Sequence, residues 1–155
     1  MAQKTNAVRI LEQQKIAFEV INFEATEAVS GVEAAARMGI DRKNVFKTLV
    51  TVGKSGAHYV FVVPVAEELD LRKAAVAAGE KNIAMIHSKE LLPLTGYIHG
   101  GCSPIGMKKA FPTFVDASAE DREFIVFSGG RIGLQVKMPP SELIKAARAA
   151  YKELV

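Results

Sequence analysis

The segment from Gly96 to Lys109 restricts the possible folds of this chain more than any other stretch. It combines four glycines, one proline, the only cysteine of the chain and two adjacent lysines. Glycines destabilise a regular helix or strand, and Pro104 has no N–H to donate to a sheet. We therefore expect a loop here. It is either a surface turn or a segment whose backbone N–H groups approach a ligand, with Lys108 and Lys109 nearby to attract negative charge.

The composition indicates an ordinary globular protein. A length of 155 residues suits one domain with its own core, and 49% hydrophobic with 24% charged residues is typical of such domains. The net charge of +3 permits a nucleic-acid partner without identifying one. One cysteine excludes an internal disulfide framework and a multi-cysteine zinc site, and the three histidines show no ligand spacing. We expect no metal and no cofactor.

The start of the chain predicts its location. Met1 to Asn6 lead directly into an amphipathic pattern, and no apolar run long enough for a signal peptide or a membrane span follows. Together with the single cysteine, this favours the reducing cytoplasm and predicts no membrane association.

Caps, turns and hydrophobic periodicity predict the order of helices and strands. For the first part of the chain we expect a helix from about Asn6 to Lys15 capped by Thr5, a strand from Phe18 to Phe23, and a helix from Ser30 to Met38 closed by Gly39. A hairpin of Val45–Val52 and Ala57–Val63 should follow, and then a helix after Asp70 that ends at Gly79. The last elements of this part are a strand from Ile83 to Ile86 and one helical turn from Ser88 to Leu92 before Pro93.

The second part of the chain is predicted to be mainly short strands. They run from Thr113 to Asp116, from Phe124 to Ser128 and from Gly133 to Lys137, and a helix from Glu142 to Lys152 capped by Ser141 follows. No linker or repeat interrupts the chain, so residues 1–155 are expected to form a single α/β domain with helices around a mixed sheet. The hairpins argue against a doubly wound parallel sheet.

Lys47 is the most informative single residue. It lies in the middle of a predicted strand, on the same face as Val45 and Leu49, while Thr48 points to the opposite face and is expected to pack. A lysine between apolar neighbours either extends its side chain to solvent or sits in a polar cleft.

A second glycine element, Ser128-Gly129-Gly130, follows a strand, where a loop can face a ligand. Neither glycine segment matches a dinucleotide-binding fingerprint or a P-loop. Two such loops together with Lys47 suit a pocket of backbone donors for an ester and a ribose.

The chain offers no recognisable hydrolytic triad. Cys102 has no base linked to it by a motif, so we interpret it as a packing residue, and no Gly-x-Ser-x-Gly elbow surrounds any serine. His99 is either a base or a surface residue.

Several ordered motifs resemble one known family. Gly-Gly-x-Ser-Pro-x-Gly-x-Lys-Lys at Gly100–Lys109, Phe-Lys-Thr-Leu at Phe46–Leu49, Ser-Gly-Gly-Arg-Ile-Gly-Leu at Ser128–Leu134 and the amphipathic N-terminal opening are similar to the YbaK/EbsC family. These are free-standing editing proteins that remove mischarged amino acids from tRNA. The resemblance spans nearly the whole chain and implies a mixed, partly closed β-barrel flanked by helices.

The resemblance also implies roles for individual residues. Lys47 would contact the tRNA terminus beside the scissile ester, and Gly100 would donate to the acyl carbonyl region. The implied substrate-binding residues are Phe23, Ser30, Thr48, Gly101, Ser128, Gly129 and Gln135, and those implied for the tRNA backbone are Lys108, Lys109 and Arg131. Of these, Phe23, Ser30 and Gln135 depart from the residues expected in the family, which bears on the size and amino-acid preference of the pocket.

The missing catalytic apparatus agrees with a mechanism that the resemblance implies. The thiol of a cysteinyl substrate attacks its own ester, expels the tRNA 3′ end and leaves a thiolactone. The chain is therefore predicted to be a trans-editing deacylase for Cys-tRNA(Pro) or Cys-tRNA(Cys), with a partner such as prolyl-tRNA synthetase. Two alternatives stay open, namely a non-catalytic tRNA- or nucleotide-binding module and an Ala-tRNA(Pro) deacylase.

Overall fold

A computed structural model describes residues 4–155, so Met1–Gln3 at the start of the chain lie outside it. The described helices are α1 (Asn6–Gln13), α2 (Gly31–Met38), α3 (Leu71–Ala78), α4 (Ser88–Thr95) and α5 (Pro140–Ala147). The strands are β1 (Glu19–Asn22), β2 (Phe46–Gly53), β3 (His58–Pro64), β4 (Ile83–Met85), β5 (Thr113–Asp116), β6 (Ile125–Arg131), β7 (Leu134–Met138) and β8 (Ala150–Lys152).

The strands form two sheets. One has the order β1-β7-β6 and is antiparallel. The other has the order β4-β2-β3-β5-β8 and is mixed, because β5 runs parallel to both β3 and β8. A parallel bridge between Val45 and Val126 links the start of β2 to β6. The α/β architecture with a mixed sheet is as predicted, whereas the partly closed barrel stays a prediction.

The hairpin of β2 and β3 forms as predicted from its β-branched residues. Phe46 lies opposite Pro64 and Val52 opposite His58, and the Gly53 N–H donates to the Ala57 carbonyl to close the turn. On its other side β2 pairs with β4 only from Thr51 to Gly53. The edge of β2 before Thr51 is therefore not covered by β4, and this edge borders the site described below.

Three helices begin at the caps predicted from the sequence. The side chains of Thr5, Ser30 and Asp70 accept backbone hydrogen bonds at the starts of α1, α2 and α3. Gly39 and Gly79 adopt left-handed conformations that end α2 and α3. α1 ends at Gln13, two residues earlier than expected.

The prediction that α4 stops before Pro93 is wrong. The helix continues through Pro93 to Thr95, although a proline inside a helix removes one backbone hydrogen bond. The turn is held by other bonds, since the Thr95 hydroxyl donates to the Leu91 carbonyl and the Gly96 N–H donates to the Leu92 carbonyl.

The predicted C-terminal helix is wrong at both ends. It begins at Pro140, whose fixed φ and missing N–H suit the first helical position, so Ser141 is not its cap. It ends at Ala147, after which Arg148 has a φ of 51°. The alanine-rich continuation forms β8 instead of further helix.

Tertiary pairing explains why β8 is a strand. It lies parallel to β5, and the following Leu154 N–H donates to the buried Asp116 carboxylate at 2.9 Å. The Leu154 side chain is fully buried beside Phe61 and Val63 of β3. These long-range contacts outweigh the local helical propensity of the alanines.

The largest hydrophobic cluster lies between the two sheets and includes residues of α1 and α5, among them Leu11, Phe127 and Leu143. A second cluster packs α3 against β3, and a third packs α2 near the Val45–Val126 bridge. Among residues 4–155, no helix has the length and apolarity needed to cross a bilayer. The cytoplasmic location stays a prediction.

Candidate functional site

A cavity of about 230 Å³ opens beside the uncovered edge of β2. Its wall comes from β2, the start of α2, the glycine-rich loop after α4, and the neighbouring ends of β6 and β7. Seven of the residues predicted from the sequence line it, namely Phe23, Ser30, Lys47, Thr48, Gly100, Ser128 and Gln135.

Lys47 and Thr48 both line the cavity although they are consecutive on β2. A strand points successive side chains to opposite faces, so a cavity on one face alone would receive only one of them. Both residues belong to the part of β2 before Thr51, which β4 does not pair with, and both line the cavity. The expectation that Thr48 packs away from the site is therefore not what the structure shows.

The Thr48 hydroxyl is buried without a hydrogen-bond partner among the described residues. Among residues 4–155, Thr48 Oγ1 is the one buried side-chain oxygen or nitrogen without a hydrogen-bond partner. A buried polar atom left unpaired costs about 1–3 kcal/mol of stability. Thr48 lines the cavity, and its hydroxyl oxygen itself is buried within the wall.

Gly100 is the exposed glycine of the loop that faces the cavity. It has a φ of 85°, and a Cβ at this position would lie 2.6 Å from the Cβ of Ala28. Any other residue here would be strained and would collide. Gly100 thus lets the backbone itself form part of the cavity wall.

Gly101 and Gly129 were predicted to bind substrate, but neither lines the cavity. A Cβ on Gly101 would lie 2.8 Å from the Cα of Arg131, so this glycine allows the loop to pack against β6. A Cβ on Gly129 would collide with the Leu134 side chain. Both glycines support the wall from behind.

Ser128 lies within β6, which continues to Arg131 past an irregularity in its pairing with β7. Its Oγ accepts a hydrogen bond from the Gly130 N–H at 3.2 Å. The Ser128 hydroxyl hydrogen takes no part in this bond, so it can be donated to another acceptor, including one in the cavity. Gln135 lies directly opposite Ser128 on β7 and is only 7% exposed.

Phe23, which follows β1, and Ser30, which caps α2, also line the cavity. The Phe23 N–H donates to the Gly133 carbonyl, which fixes the residue after β1 against the start of β7. Ser30 Oγ accepts from the Glu33 N–H as the cap of α2, so its hydroxyl hydrogen is also available.

Cys102 and His99 line the same cavity. Burial raises the pKa of the Cys102 thiol to about 12, so it is protonated at neutral pH and a weak nucleophile. This supports the packing interpretation. The neighbouring Tyr97 also has its pKa raised to about 12, by burial and then by Cys102, and its hydroxyl donates to the Ile105 carbonyl. His99 is exposed at the cavity.

The three cations predicted to bind the tRNA backbone do not line the cavity. Lys108 and Lys109 are exposed in the same loop as Gly100, and the aliphatic part of Lys108 lies over Gly96. Arg131 is partly buried at the end of β6, where its backbone touches Gly101.

Sequence reasoning did not identify the apolar part of the wall. These residues come from separate elements, and nothing local distinguishes them from core residues. They are Val29, Gly31, Ala34, Val45, Phe46, Leu49, Val65, Leu91 and Ile132.

The described part of the chain, residues 4–155, contains no group of three histidine, cysteine, aspartate or glutamate side chains that could hold a metal ion. The wall instead offers one lysine, several hydroxyls, an amide and the backbone of Gly100. Such a set can bind and orient a ligand and stabilise negative charge on it.

Comparison with protein families gives one match over most of the chain. Residues 26–146 match the model of the aminoacyl-tRNA editing domain. The matched range contains the cavity wall except for Phe23, and it contains neither α1 nor β1.

Individual relatives agree with this match. EbsC of Enterococcus faecalis, a candidate Cys-tRNA(Pro)/Cys-tRNA(Cys) deacylase, is 42% identical over 98% of this chain and 93% of that protein. The crystal structure of a candidate trans-editing enzyme for prolyl tRNA synthetase has a TM-score of 0.85 at 27% identity, covering 99% of this chain and 98% of the other. A proline–tRNA ligase of Shouchella clausii is 29% identical over 83% of this chain but only 22% of its own length.

Proposed function

We propose, on the premise that this chain belongs to the aminoacyl-tRNA editing domain family and is an aminoacyl-tRNA deacylase, that it removes cysteine from mischarged tRNA(Pro). Cys-tRNA(Cys) is a second substrate of the same chemistry, as the name of the E. faecalis relative includes it. We further propose that residues 1–155 act as one editing domain.

One observation carries the proposal. The cavity wall contains Lys47, Thr48 and a cysteine whose thiol is held protonated by burial. This set is suited to binding an aminoacyl ester, but Cys102 is a poor candidate for attacking it. A substrate that brings its own nucleophile fits such a site better than one that needs a protein nucleophile.

In the proposed reaction the substrate cysteine attacks its own ester. Its thiol loses a proton, and the sulfur forms a bond to the carbonyl carbon. The bond from that carbon to the ribose oxygen then breaks, and the ribose oxygen takes up a proton. The products are a cyclic thiolactone and deacylated tRNA. The reaction involves no change of oxidation state and therefore needs no cofactor.

The protein contributes position and charge stabilisation. Lys47 lies beside the ester and the tRNA terminus, and the Gly100 N–H donates to the acyl carbonyl as negative charge develops on its oxygen. Ser128 holds the terminal adenosine. Phe23, Ser30, Thr48 and Gln135 shape the remaining pocket, and Gly101 and Gly129 pack the loops behind it.

The body of the tRNA is proposed to contact Lys108, Lys109 and Arg131. Selection of tRNA(Pro) is assigned to a partner, prolyl-tRNA synthetase. The support is the structural similarity to a candidate trans-editing enzyme for that synthetase.

A deacylation panel tests the function. Purified protein is incubated with tRNA(Pro) carrying cysteine, alanine, proline or serine, with and without prolyl-tRNA synthetase. We expect cysteine to be released fastest. Faster release of alanine would indicate an Ala-tRNA(Pro) deacylase, and turnover of none of the four would favour the non-catalytic binding module.

A further inference from the structure

We propose that Thr5, at the start of α1, is a positioning residue for the editing reaction and acts on Ser128 through the Gly129–Gly130 peptide. The inference rests on the proposed function, because it concerns the geometry of that same site. Thr5 does not line the cavity and lies outside the matched range 26–146.

Thr5 makes two side-chain hydrogen bonds of different kinds. Its Oγ1 accepts from the Val8 N–H at 3.2 Å, which caps α1. The same hydroxyl donates to the Gly129 carbonyl at 2.5 Å, across 124 positions of the sequence. Capping requires only the acceptor, so the bond to Gly129 is a separate use of the residue.

The Gly129 carbonyl and the Gly130 N–H belong to one peptide group. Thr5 binds its oxygen, and Ser128 Oγ binds its N–H at 3.2 Å. Because a peptide group is planar, fixing its carbonyl direction also fixes its N–H direction. Thr5 therefore fixes the position of the Gly130 N–H that donates to the Ser128 hydroxyl oxygen. Hydrogen bonds at both ends of one peptide group also strengthen each other.

The backbone conformation of Gly130 and its close approach to Thr5 make the contact between Thr5 and the Gly129–Gly130 peptide specific. Gly130 has a φ of 111°, and a Cβ there would lie 3.0 Å from the Thr5 Cβ and 3.1 Å from Tyr97. Only glycine combines this backbone conformation with so close an approach. Gly129 and Gly130 lie at the irregularity in the pairing of β6 with β7, so this segment relies on a further contact to hold a single geometry.

The helix that carries Thr5 is itself firmly held. Ala7, Val8 and Leu11 of α1 are buried in the main hydrophobic cluster. The next residue, Asn6, donates from Nδ2 to the Gly106 carbonyl at 2.6 Å, so the start of α1 contacts the other glycine loop as well. The start of α1 is thus bonded both to the end of β6 that carries Ser128 and to the loop that carries Gly100.

Three substitutions separate the two bonds of Thr5. Thr5→Ser keeps acceptor and donor and should retain activity within about twofold of wild type. Thr5→Val removes both, and Thr5→Asp keeps the cap but cannot donate to Gly129. We expect Thr5→Val and Thr5→Asp each to lower kcat by between about 10-fold and 100-fold, as a small misplacement of a binding group does.

Asp70→Ala is the matched control. Asp70 caps α3 in the same manner but contacts neither glycine loop, so its loss should lower thermal stability without lowering kcat. A loss of kcat in Asp70→Ala comparable to that in Thr5→Val would mean that cap loss alone explains the effect, and would overturn the proposal.

A double-mutant cycle tests the route through Ser128. If Thr5 acts through Ser128, Thr5→Val should lower kcat no further when Ser128 is already alanine. Additive losses would overturn that route. Unchanged kcat in a folded Thr5→Asp would refute the positioning role altogether.

A substrate-independent measurement separates this inference from the proposed function. The backbone amide hydrogen of Gly130 should exchange faster with solvent in Thr5→Asp than in Thr5→Ser. A wild-type protein inactive on the whole tRNA panel contradicts the proposed function and the claim about kcat with it. Unchanged Gly130 exchange in an active protein contradicts only the inference about Thr5.

Discussion

Lys47 and Thr48, neighbours on β2, contribute opposite kinds of group to one cavity: a long flexible cation and a buried hydroxyl with no partner. Both residues line the cavity in the part of β2 that precedes Thr51 and is not paired with β4. We expect stability and substrate binding to conflict at Thr48, and we expect Lys47 to matter for binding and catalysis with little effect on stability. The first two predictions separate these effects.

Thr48→Val should stabilise the protein and impair the reaction. Replacing an unpaired buried hydroxyl with a methyl group of similar shape removes a desolvation cost, so the free energy of unfolding should rise by about 1 kcal/mol. The same change removes a hydrogen bond that the substrate would complete, which should raise KM for Cys-tRNA(Pro). Urea unfolding and steady-state kinetics measure the two effects. A less stable variant with normal KM would show that the hydroxyl has a structural partner.

Lys47→Ala should abolish most deacylation while the fold is kept. Loss of one group aimed at the reacting ester costs about 10²–10³ in rate, whereas loss of a partly exposed lysine mid-strand should change stability little. Lys54→Ala, at the exposed hairpin turn, is the control and should behave as wild type. Unfolding of Lys47→Ala would make Lys47 structural, and full activity in a folded variant would remove it from the site.

Cys102→Ala should keep most of the activity on Cys-tRNA(Pro). The Cys102 thiol is protonated because burial raises its pKa to about 12, so we expect the substrate sulfur, and not the protein sulfur, to perform the attack. Ser-tRNA(Pro) should be nearly inert, since a hydroxyl is a far weaker nucleophile than a thiol. Mass spectrometry of the protein and its products during turnover checks this. An acyl adduct on Cys102, or equal turnover of the two substrates, would contradict the mechanism.

Stability should fall at alkaline pH because of two buried groups. The pKa values of Cys102 and Tyr97 are raised from 9.0 and 10.0 to about 12, so the folded protein keeps protons that the unfolded chain loses. The free energy of unfolding therefore declines between about pH 9 and pH 12, by up to about 1.4 kcal/mol per pH unit for Cys102 and by less for Tyr97, which is less deeply buried. Chemical denaturation at several pH values measures this decline. In Cys102→Ala the part that begins near pH 9 should be missing, and an identical pH dependence in the two proteins would refute the assignment.

Binding of tRNA should depend gently on salt. Few cations border the glycine loops, and each phosphate contact contributes roughly 0.7 to 0.9 to the slope of log affinity against log salt concentration. Replacing Lys108, Lys109 and Arg131 together with alanine should lower both the affinity and this slope. The control replaces Arg72, Lys81 and Lys152, which are exposed and line no part of the cavity. Equal losses in the two triple variants would indicate that only net charge matters.

Features held by neighbouring residues could be predicted from the sequence. The caps at Thr5, Ser30 and Asp70 and the helix ends at Gly39 and Gly79 involve atoms only a few residues apart, so the local pattern contains both partners. The β2–β3 hairpin is predictable for the same reason. The motifs around Lys47, Gly100 and Ser128 also indicated residues that the structure brings to one cavity, because residues with unusual local chemistry are visible in a sequence.

Features that depend on distant partners were decided only by the tertiary structure. The segment from Ala146 to Lys152 is alanine-rich and helical by propensity, but its last three residues form a strand because β5 offers a pairing edge and Asp116 binds the Leu154 N–H. Thr48 lines one cavity with Ser128 and Gln135 of the other sheet, and Gly129 is held by Thr5 across 124 positions. Local propensities differ by about 1 kcal/mol or less per residue, so a few buried long-range contacts are enough to override them.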